Sequence, residues 1–279
     1  MAYSGLDKRF LLPYTLDMGH VFDNRDARQY EELCQSVDGT SVEQLRRQLV
    51  LRLVHPLPGE RVLDIGCGTG RDLSMFLDHG LSLTGIDPSA YMLDLARQRL
   101  GHRAELYRAR GERLPFEDNA FDVAMLCGSL EFVENPRAVL IEASRVAKDR
   151  VFIGCMNRYA IKGIERRIKG RLEDSVYRHA HFFSVWELKY LVRETLGNLP
   201  INWRTCCHLT DGGGGYRERL ERVDWLRRLP TGSFVAMVVT LTCNLRVTPL
   251  ELRHKPVKAG KLITGPARTP FPRPPRNAP

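Results

Sequence analysis

The segment Val62-Leu63-Asp64-Ile65-Gly66-Cys67-Gly68-Thr69-Gly70 constrains this chain more than any other. A short apolar run ends in an acid, and glycine then recurs at every second position through a tight turn. Glycine tolerates positive φ and leaves room for the backbone to approach another group closely. Arg71 to His79 follows with Leu73, Phe76 and Leu77 on one face, which reads as a helix. Strand, glycine turn and helix in that order are expected to bring bare backbone N–H groups against a nucleotide-like ligand.

The chain on either side repeats that alternation. Ser41 to His55 reads as a helix, with Ser41 and Gln44 at capping-box spacing, and Pro56, Pro58 and Gly59 stop it. Strands are expected at Arg61–Ile65, Leu81–Ile86, Ala104–Arg108, Phe121–Cys127 and Arg150–Cys155, with helices at Ser89–Leu100 and Pro136–Ala147. Phe121–Cys127 is nearly all apolar, as suits a strand covered on both faces. This is the pattern of an α/β, doubly wound, parallel sheet. A capping box at Ser184 and Glu187 opens a later helix, Ile201–Cys207 and Phe234–Cys243 read as strands, and Tyr216–Arg228 reads as a polar helix after the Gly212–Gly215 connector. Residues 1–40 show no clear period.

Composition bounds the partners. The formal charge of +9 is concentrated: Arg246 to the end holds eight Lys/Arg against Glu251 alone, so residues 1–245 carry about +2. Basicity belongs mostly to a proline-rich tail, expected to be disordered, and nucleic-acid binding by the folded part is not favoured. No apolar run approaches a membrane span, and Met1–Arg9 lacks the apolar stretch of a secretory signal. Seven cysteines without a Cys-x-x-Cys pair suit reduced thiols in a cytoplasmic protein, with no metal site expected.

Asp87 ends the second strand 23 residues after Asp64, close to the separation of a ribose-binding acid, although Asp87-Pro88-Ser89 is equally good helix-start chemistry. The third glycine, Gly70, comes one residue earlier than in the dinucleotide pattern G-x-G-x-x-G. These residues point to a ribonucleoside cofactor and leave NAD and S-adenosylmethionine both open.

Val62–Gly70, Gly85-Ile-Asp-Pro-Ser-Ala-Tyr-Met-Leu, Glu112-Arg-Leu-Pro-Phe-Glu-Asp-Asn-Ala-Phe-Asp-Val, Leu130-Glu-Phe-Val-Glu-Asn-Pro and Glu142-Ala-Ser-Arg-Val together resemble the class I S-adenosylmethionine-dependent methyltransferases, in particular the ubiquinone/menaquinone biosynthesis subgroup. The resemblance implies a seven-stranded, mostly parallel Rossmann-like sheet whose last strand, Phe234–Cys243, runs antiparallel beside the fifth. Together with the composition it divides the chain into three parts: a lid and helical segment at 1–55, the cofactor-binding domain at 56–245 with a substrate-side insert at 156–183, and the basic, proline-rich tail at 246–279, which has no counterpart in the family. Asp64, Gly66, Cys67 and Gly68 would hold the methionine part of the cofactor, and Asp87 the ribose. Pro88, Met92, Gly111 and Glu112 would lie by the adenine, and Cys127 and Gly128 near the donor methyl. Phe22-Asp23 and Tyr30 resemble the aromatic lid. Three positions depart from the family: Arg110 replaces an acid near the adenine, Glu131-Phe132 stands where Glu-His is common, and Lys148-Asp149-Arg150 replaces a Lys-Pro-Gly-Gly turn.

The acceptor side is expected under Met156–Phe183, with Glu131, Tyr159, His179 and His181 as the candidate catalytic groups. Each histidine has a structural alternative at the Phe182-Phe183-Ser184 junction. Ile161, Ile164, Ile168 and Leu172 form a stripe among basic residues that suits an exposed helix laid on the core, or a lid facing an apolar or membrane-associated substrate with peripheral membrane contact. The expected activity is methyl transfer to a small or lipid-like acceptor. Alternatives are an RNA or protein methyltransferase, and a cofactor-binding partner domain without catalysis.

Overall fold

A computed structural model describes residues 19–37, 41–160, 176–208 and 223–241. The Ile161–Leu172 stripe, the glycine connector, the first part of the helix expected over 216–228, the basic tail and the side chain of Ser41 lie outside them. Seven strands form one sheet: β1 (Arg61–Ile65), β2 (Ser82–Asp87), β3 (Glu105–Arg108), β4 (Phe121–Cys127), β5 (Ala147–Met156), β6 (Ile201–Cys206) and β7 (Phe234–Thr240), in the order β3-β2-β1-β4-β5-β7-β6. Pairing is parallel from β3 through β5, and β7 is antiparallel to both β5 and β6. The expected fold class is the observed one.

The central strands are buried on both faces, and their side chains alternate between two apolar layers. Leu63, Ile65, Ala124, Leu126, Val151 and Ile153 face the layer built with α4 (Pro136–Val146) and α5 (Val185–Leu196). Val62, Val123, Met125 and Phe152 face the opposite layer, built with α2 (Ser41–Val54) and α3 (Ala90–Leu100). Phe152 and Leu63 are fully buried, and truncating either to alanine should cost about 2–5 kcal/mol.

Local signals explain most helix starts. Ser89 caps α3 by accepting the Met92 amide at 3.3 Å, and Asn135 caps α4 by accepting the Ala138 amide at 3.1 Å. Ser184 and Glu187 form the full reciprocal capping box of α5. Arg150, one of the departures from the family turn, lies in β5. It donates to the Val54 carbonyl at 2.8 Å and pairs with both oxygens of Glu60, fastening the C-terminal end of α2 to the sheet.

The structure departs from expectation in three places. Residues 71–79 contain only a three-ten turn, Leu73–Phe76. The Ser74 hydroxyl donates to the Arg71 carbonyl at 2.6 Å, and the Met75 amide turns back to Asp72, which replaces the bonding an α-helix would need. Within 1–40, where no period was apparent, α1 spans Asn24–Val37. Its start is held by the Asp26 amide donating to Asp23 at 2.9 Å and the Asp23 amide donating to Asp26 at 3.2 Å. The described end of the polar helix expected to run to Arg228 is a three-ten turn, Leu226–Arg228.

Candidate active site

In the sheet order, connections diverge between β1 and β4, and that switch point is where open α/β sheets place ligands. A cleft opens there, beyond the C-terminal ends of the strands. Tyr30, Gly66, Cys67, Gly68, Asp87, Pro88, Met92, Gly111, Glu112 and Cys127, all implicated by sequence, line it together.

The glycine loop works differently from the sequence expectation. The amides of Gly66 and Cys67 both donate to the Ile86 carbonyl at 2.8 Å, and the Gly68 amide donates to Asp87 Oδ2 at 3.0 Å. Three of its N–H groups are therefore committed inside the protein, and the loop contributes space. Gly68 (φ +52°) and Gly128 (φ +72°) have nothing within 4 Å of where a Cβ would stand, so both leave room in the cleft they line. Gly66 (φ +75°) differs, because a Cβ there would lie 2.4 Å from Ser129 Cβ.

Asp87 fills the helix-start role of its two sequence readings, braces the glycine loop and lines the cleft. Oδ1 accepts the Ser89 amide at 2.8 Å at the start of α3, while Oδ2 holds the loop. Burial raises its pKa to about 6, against the two amides that favour the charged form. Asp64 directly precedes Ile65 and Gly66 of the cleft but does not itself line it; it is only 1% exposed, and its Oδ1 has no hydrogen-bond partner among the described residues. Burial, then the Asp72 and Asp87 carboxylates, push its pKa well above the usual range, against Arg46. Glu112 lines the cleft, yet its Oε1 accepts the Glu134 and Asn135 amides at 3.1 and 3.4 Å. Cys127 is held as a thiol: burial, then Asp72, raises it well above its ordinary value.

The N-terminal segment closes one side. Phe22 packs edge-on against Tyr30 and Phe132, and its carbonyl accepts Ser89 Oγ at 2.6 Å. Arg99 of α3 bridges Glu31 of α1 at 2.5 Å and Thr69 Oγ1 of the glycine loop at 2.6 Å.

A second cavity adjoins the first, and Tyr30, Arg71, Asp72, Cys127, Gly128 and Phe132 line both. Its other walls include Val42, Glu43 and Arg46 of α2, together with Glu131, Met156, Phe182 and Phe234. Arg46 donates to Asp72 at 2.6 Å, to Glu43 at 3.0 Å and to Cys127 Sγ at 3.5 Å. Burial works against its charge, but Asp72, Cys127 and Glu43 hold its pKa well above the ordinary value. Glu131 is 2% exposed; its Oε1 accepts the Met156 amide at 2.9 Å, and its Oε2 has no partner among the described residues.

The remaining catalytic candidates stand elsewhere. Tyr159 is 52% exposed, with its ring 6.3 Å from that of Trp186, and lines neither cavity. His179 is exposed and stacks on His20 at 4.3 Å. His181 packs its ring on Phe183, and its Nε2 lies 3.2 Å from Arg158. Sequence reading missed Arg46, Asp72 and Phe234. Their only sequence signal was the buried stripe of α2 and the start of the last strand.

A family model described as a methyltransferase domain matches residues 63–153. The chain is 34% identical over 127 residues to a demethylmenaquinone methyltransferase of Clavibacter sepedonicus, covering 43% of this chain and 52% of that protein. It is 32% identical over 180 residues to an uncharacterized protein of Methanocaldococcus jannaschii, covering 63% and 80% respectively. A solved S-adenosylmethionine-dependent methyltransferase of Thermotoga maritima superposes with a TM-score of 0.56 at 25% identity, covering 78% of this chain and 96% of that one. With this sheet order and a glycine loop at its switch point, the chain belongs to the class I S-adenosylmethionine-dependent methyltransferases. Within that class it is a distant homologue of the demethylmenaquinone methyltransferases, and it spans about half the length of those it matches. The site suits the family's cofactor: the open positions at Gly68 and Gly128 leave a cradle, and Asp87 lines it with a carboxylate.

The six described cysteines are buried, and none is in a disulfide among the described residues. No described helix is long and apolar enough to cross a membrane, and no described group of His, Cys, Asp and Glu is arranged to hold a metal.

Proposed function

We propose that this chain transfers a methyl group from S-adenosylmethionine, held in the first cleft, to a small-molecule acceptor seated in the adjoining cavity. The observation that carries this reading is the shared wall: Cys127, Gly128 and Phe132, at and just beyond the end of β4, line both spaces. Two ligands held there would meet without either leaving its site.

When bound, the cofactor supplies an electrophilic methyl on a sulfonium. The protein's residues do the rest. Asp87 receives the ribose hydroxyls while still bracing Gly68 and Ser89. Asp64, directly before Ile65 and Gly66, takes the polar end of the methionine part. Pro88, Met92, Gly111 and Glu112 flank the adenine, and Tyr30 with Phe22 closes the mouth. The committed loop amides keep this cradle rigid, so orientation supplies much of the rate. One relative is named for methylation of demethylmenaquinone, a small molecule, and another as an O-methyltransferase, and the largely apolar second cavity suits a small acceptor.

Calorimetric titration with S-adenosylhomocysteine and with NAD tests the cofactor half, and binding of NAD alone would sink it. Turnover with a panel of small acceptors and S-adenosylmethionine, followed by release of S-adenosylhomocysteine, tests the transfer half.

A further inference from the structure

The second cavity carries a charge arrangement that restricts what it can admit. Its described ionisable wall consists of Glu43, Arg46, Arg71, Asp72 and Glu131, with the phenol of Tyr30 and the thiols of Cys34, Cys127 and Cys207. Both arginines already face carboxylates: Arg46 bonds Asp72 and Glu43, and Arg71 lies 3.8 Å from Glu43. Those four charges balance, so an acceptor carrying a carboxylate or phosphate would enter a low-dielectric space in which each cation is already engaged and one further acid stands nearby. Desolvating such an anion without a partner is strongly unfavourable. Apart from the hydroxyl groups of Tyr30 and Ser233, the rest of the wall is largely apolar, with Leu33, Val42, Phe132, Met156, Phe182 and Phe234.

Among the described residues, Glu131 is the one acid of that wall without a cation. Oε1 is used by the Met156 amide, and the buried Oε2 has no partner among the described residues. A buried acceptor atom without a donor is unfavourable, and a donor brought by a ligand relieves that. Glu131 follows Gly128, Ser129 and Leu130 directly from the end of β4, so it stands beside the wall the two cavities share.

We infer that the methyl acceptor is an uncharged, largely apolar molecule that presents an O–H or N–H to Oε2 of Glu131, and that Glu131 takes this proton as the methyl arrives. The inference rests on the assignment of the first cleft to the cofactor. In the step, the acceptor oxygen or nitrogen uses a lone pair to form the new bond to the methyl carbon. The carbon–sulfur bond breaks with its electron pair kept by sulfur, so the sulfonium becomes a neutral thioether. The acceptor's proton ends on Glu131, which returns it to solvent when the product leaves. Burial lifts the Glu131 carboxyl from its ordinary 4.5 to about 7, which makes it a stronger base than a solvated carboxylate while leaving part of it ionised near neutral pH.

The test is binding to the full chain saturated with S-adenosylhomocysteine, using three probes of one shape near neutral pH: 2-naphthol, 2-methoxynaphthalene and 2-naphthoate. The wild type should bind 2-naphthol roughly tenfold more tightly than either of the others, the size of a hydrogen bond to a charged acceptor. Glu131→Gln keeps the Met156 amide satisfied through its own Oε1, so the cavity should survive. In that variant 2-methoxynaphthalene should bind as in the wild type, and the preference for 2-naphthol should narrow to about threefold or less. Equal or tighter binding of 2-naphthoate overturns the inference. So does a naphthol preference that survives in Glu131→Gln, or failure of all three probes to bind a chain that holds S-adenosylhomocysteine. A chain that takes no S-adenosylhomocysteine overturns the cofactor assignment instead, and this inference with it.

Discussion

The Asp87 carboxylate and the Gly68 amide meet at 3.0 Å, so the acid at the end of β2 buttresses the loop that follows β1. The same carboxylate accepts the first amide of the following helix turn, at Ser89. One side chain therefore sets the loop, starts α3 and faces the cleft. Asp87→Ala should weaken S-adenosylhomocysteine binding by about tenfold or more, the loss of a charge-assisted hydrogen bond pair. Isothermal calorimetry on a variant that keeps its wild-type circular dichroism checks this.

A pH dependence follows from the same residue. Its folded pKa, about 6, stands above the ordinary 3.8 because of burial, so the folded chain holds more protons than the unfolded one between those values. Asp87 therefore favours the folded state most below pH 3.8, and that contribution is lost as pH rises to about 6. The loss amounts to roughly 3 kcal/mol. Ribose hydroxyls donate to the charged form, so S-adenosylhomocysteine should bind more tightly as pH rises through 6 and should release protons on binding. Asp87→Asn should flatten that profile. An unchanged profile in the variant would move the effect to another group.

Gly66 and Gly68 should separate stability from binding. An alanine at 66 must adopt φ +75° and meet Ser129 Cβ at 2.4 Å, so Gly66→Ala should destabilise by about 2 kcal/mol or more. An alanine at 68 meets no atom within 4 Å, and only its φ of +52° is strained. Gly68→Ala should lower Tm by a few degrees at most, about 1 kcal/mol, while placing a methyl group in the cleft and weakening S-adenosylhomocysteine binding. Thermal melts with and without S-adenosylhomocysteine distinguish the two, since Gly66→Ala should show the larger loss in the free protein and Gly68→Ala the larger loss of stabilisation by the ligand.

Much of this site was legible because its sequence signals are local. Most of the strands from Arg61 to Met156 carry a short apolar run stopped by turn residues, the exposed β3 excepted, and the Ser184–Glu187 box lies within one helical turn. The two family stretches Glu112–Val123 and Glu142–Val146 also form one physical unit. Arg145 donates to the Phe116 carbonyl at 2.7 Å and the Leu114 carbonyl at 3.2 Å, and Glu142 accepts the Leu114 amide at 2.8 Å. The second cavity was not legible, because its walls come from far apart: Arg46 reaches Cys127 across 81 residues. The helix α1 hid for a different reason. Its buried positions are Ala27 and Cys34, with Tyr30 between them, a helical spacing carried by small and polar side chains. The Asp23–Asp26 pair was the signal that could have revealed it.

Glu131 should reveal itself in stability without any acceptor. Burial raises its folded pKa from 4.5 to about 7, so its ionisation opposes folding progressively between those values, by about 3 kcal/mol in total. Glu131→Gln removes that titration and keeps an acceptor for the Met156 amide. The variant should therefore match the wild type near pH 5 and exceed it in Tm near pH 8, because the wild type alone must hold a buried charge there. Parallel pH-dependent melts check this, and identical curves would show that Glu131 titrates as a solvated acid.

Arg99 offers the last test, because it joins three elements through one guanidinium. Nη2 pairs with Glu31 of α1 at 2.5 Å, and Nη1 donates to Thr69 Oγ1 at 2.6 Å and also to the Thr69 carbonyl. Thr69 lies between Gly68 and Gly70, so the segment that covers the cleft is tied directly to the loop that forms its floor. Lysine has one donor centre and cannot span both partners in the planar fork geometry of arginine. Arg99→Lys should therefore leave the sheet intact while loosening α1. S-adenosylhomocysteine should bind roughly tenfold more weakly, mainly through faster dissociation. Amide exchange in residues 24–37 should rise, and it should fall again when S-adenosylhomocysteine is added in excess. A variant with weakened binding but unchanged exchange in α1 would place the role of Arg99 in the loop alone.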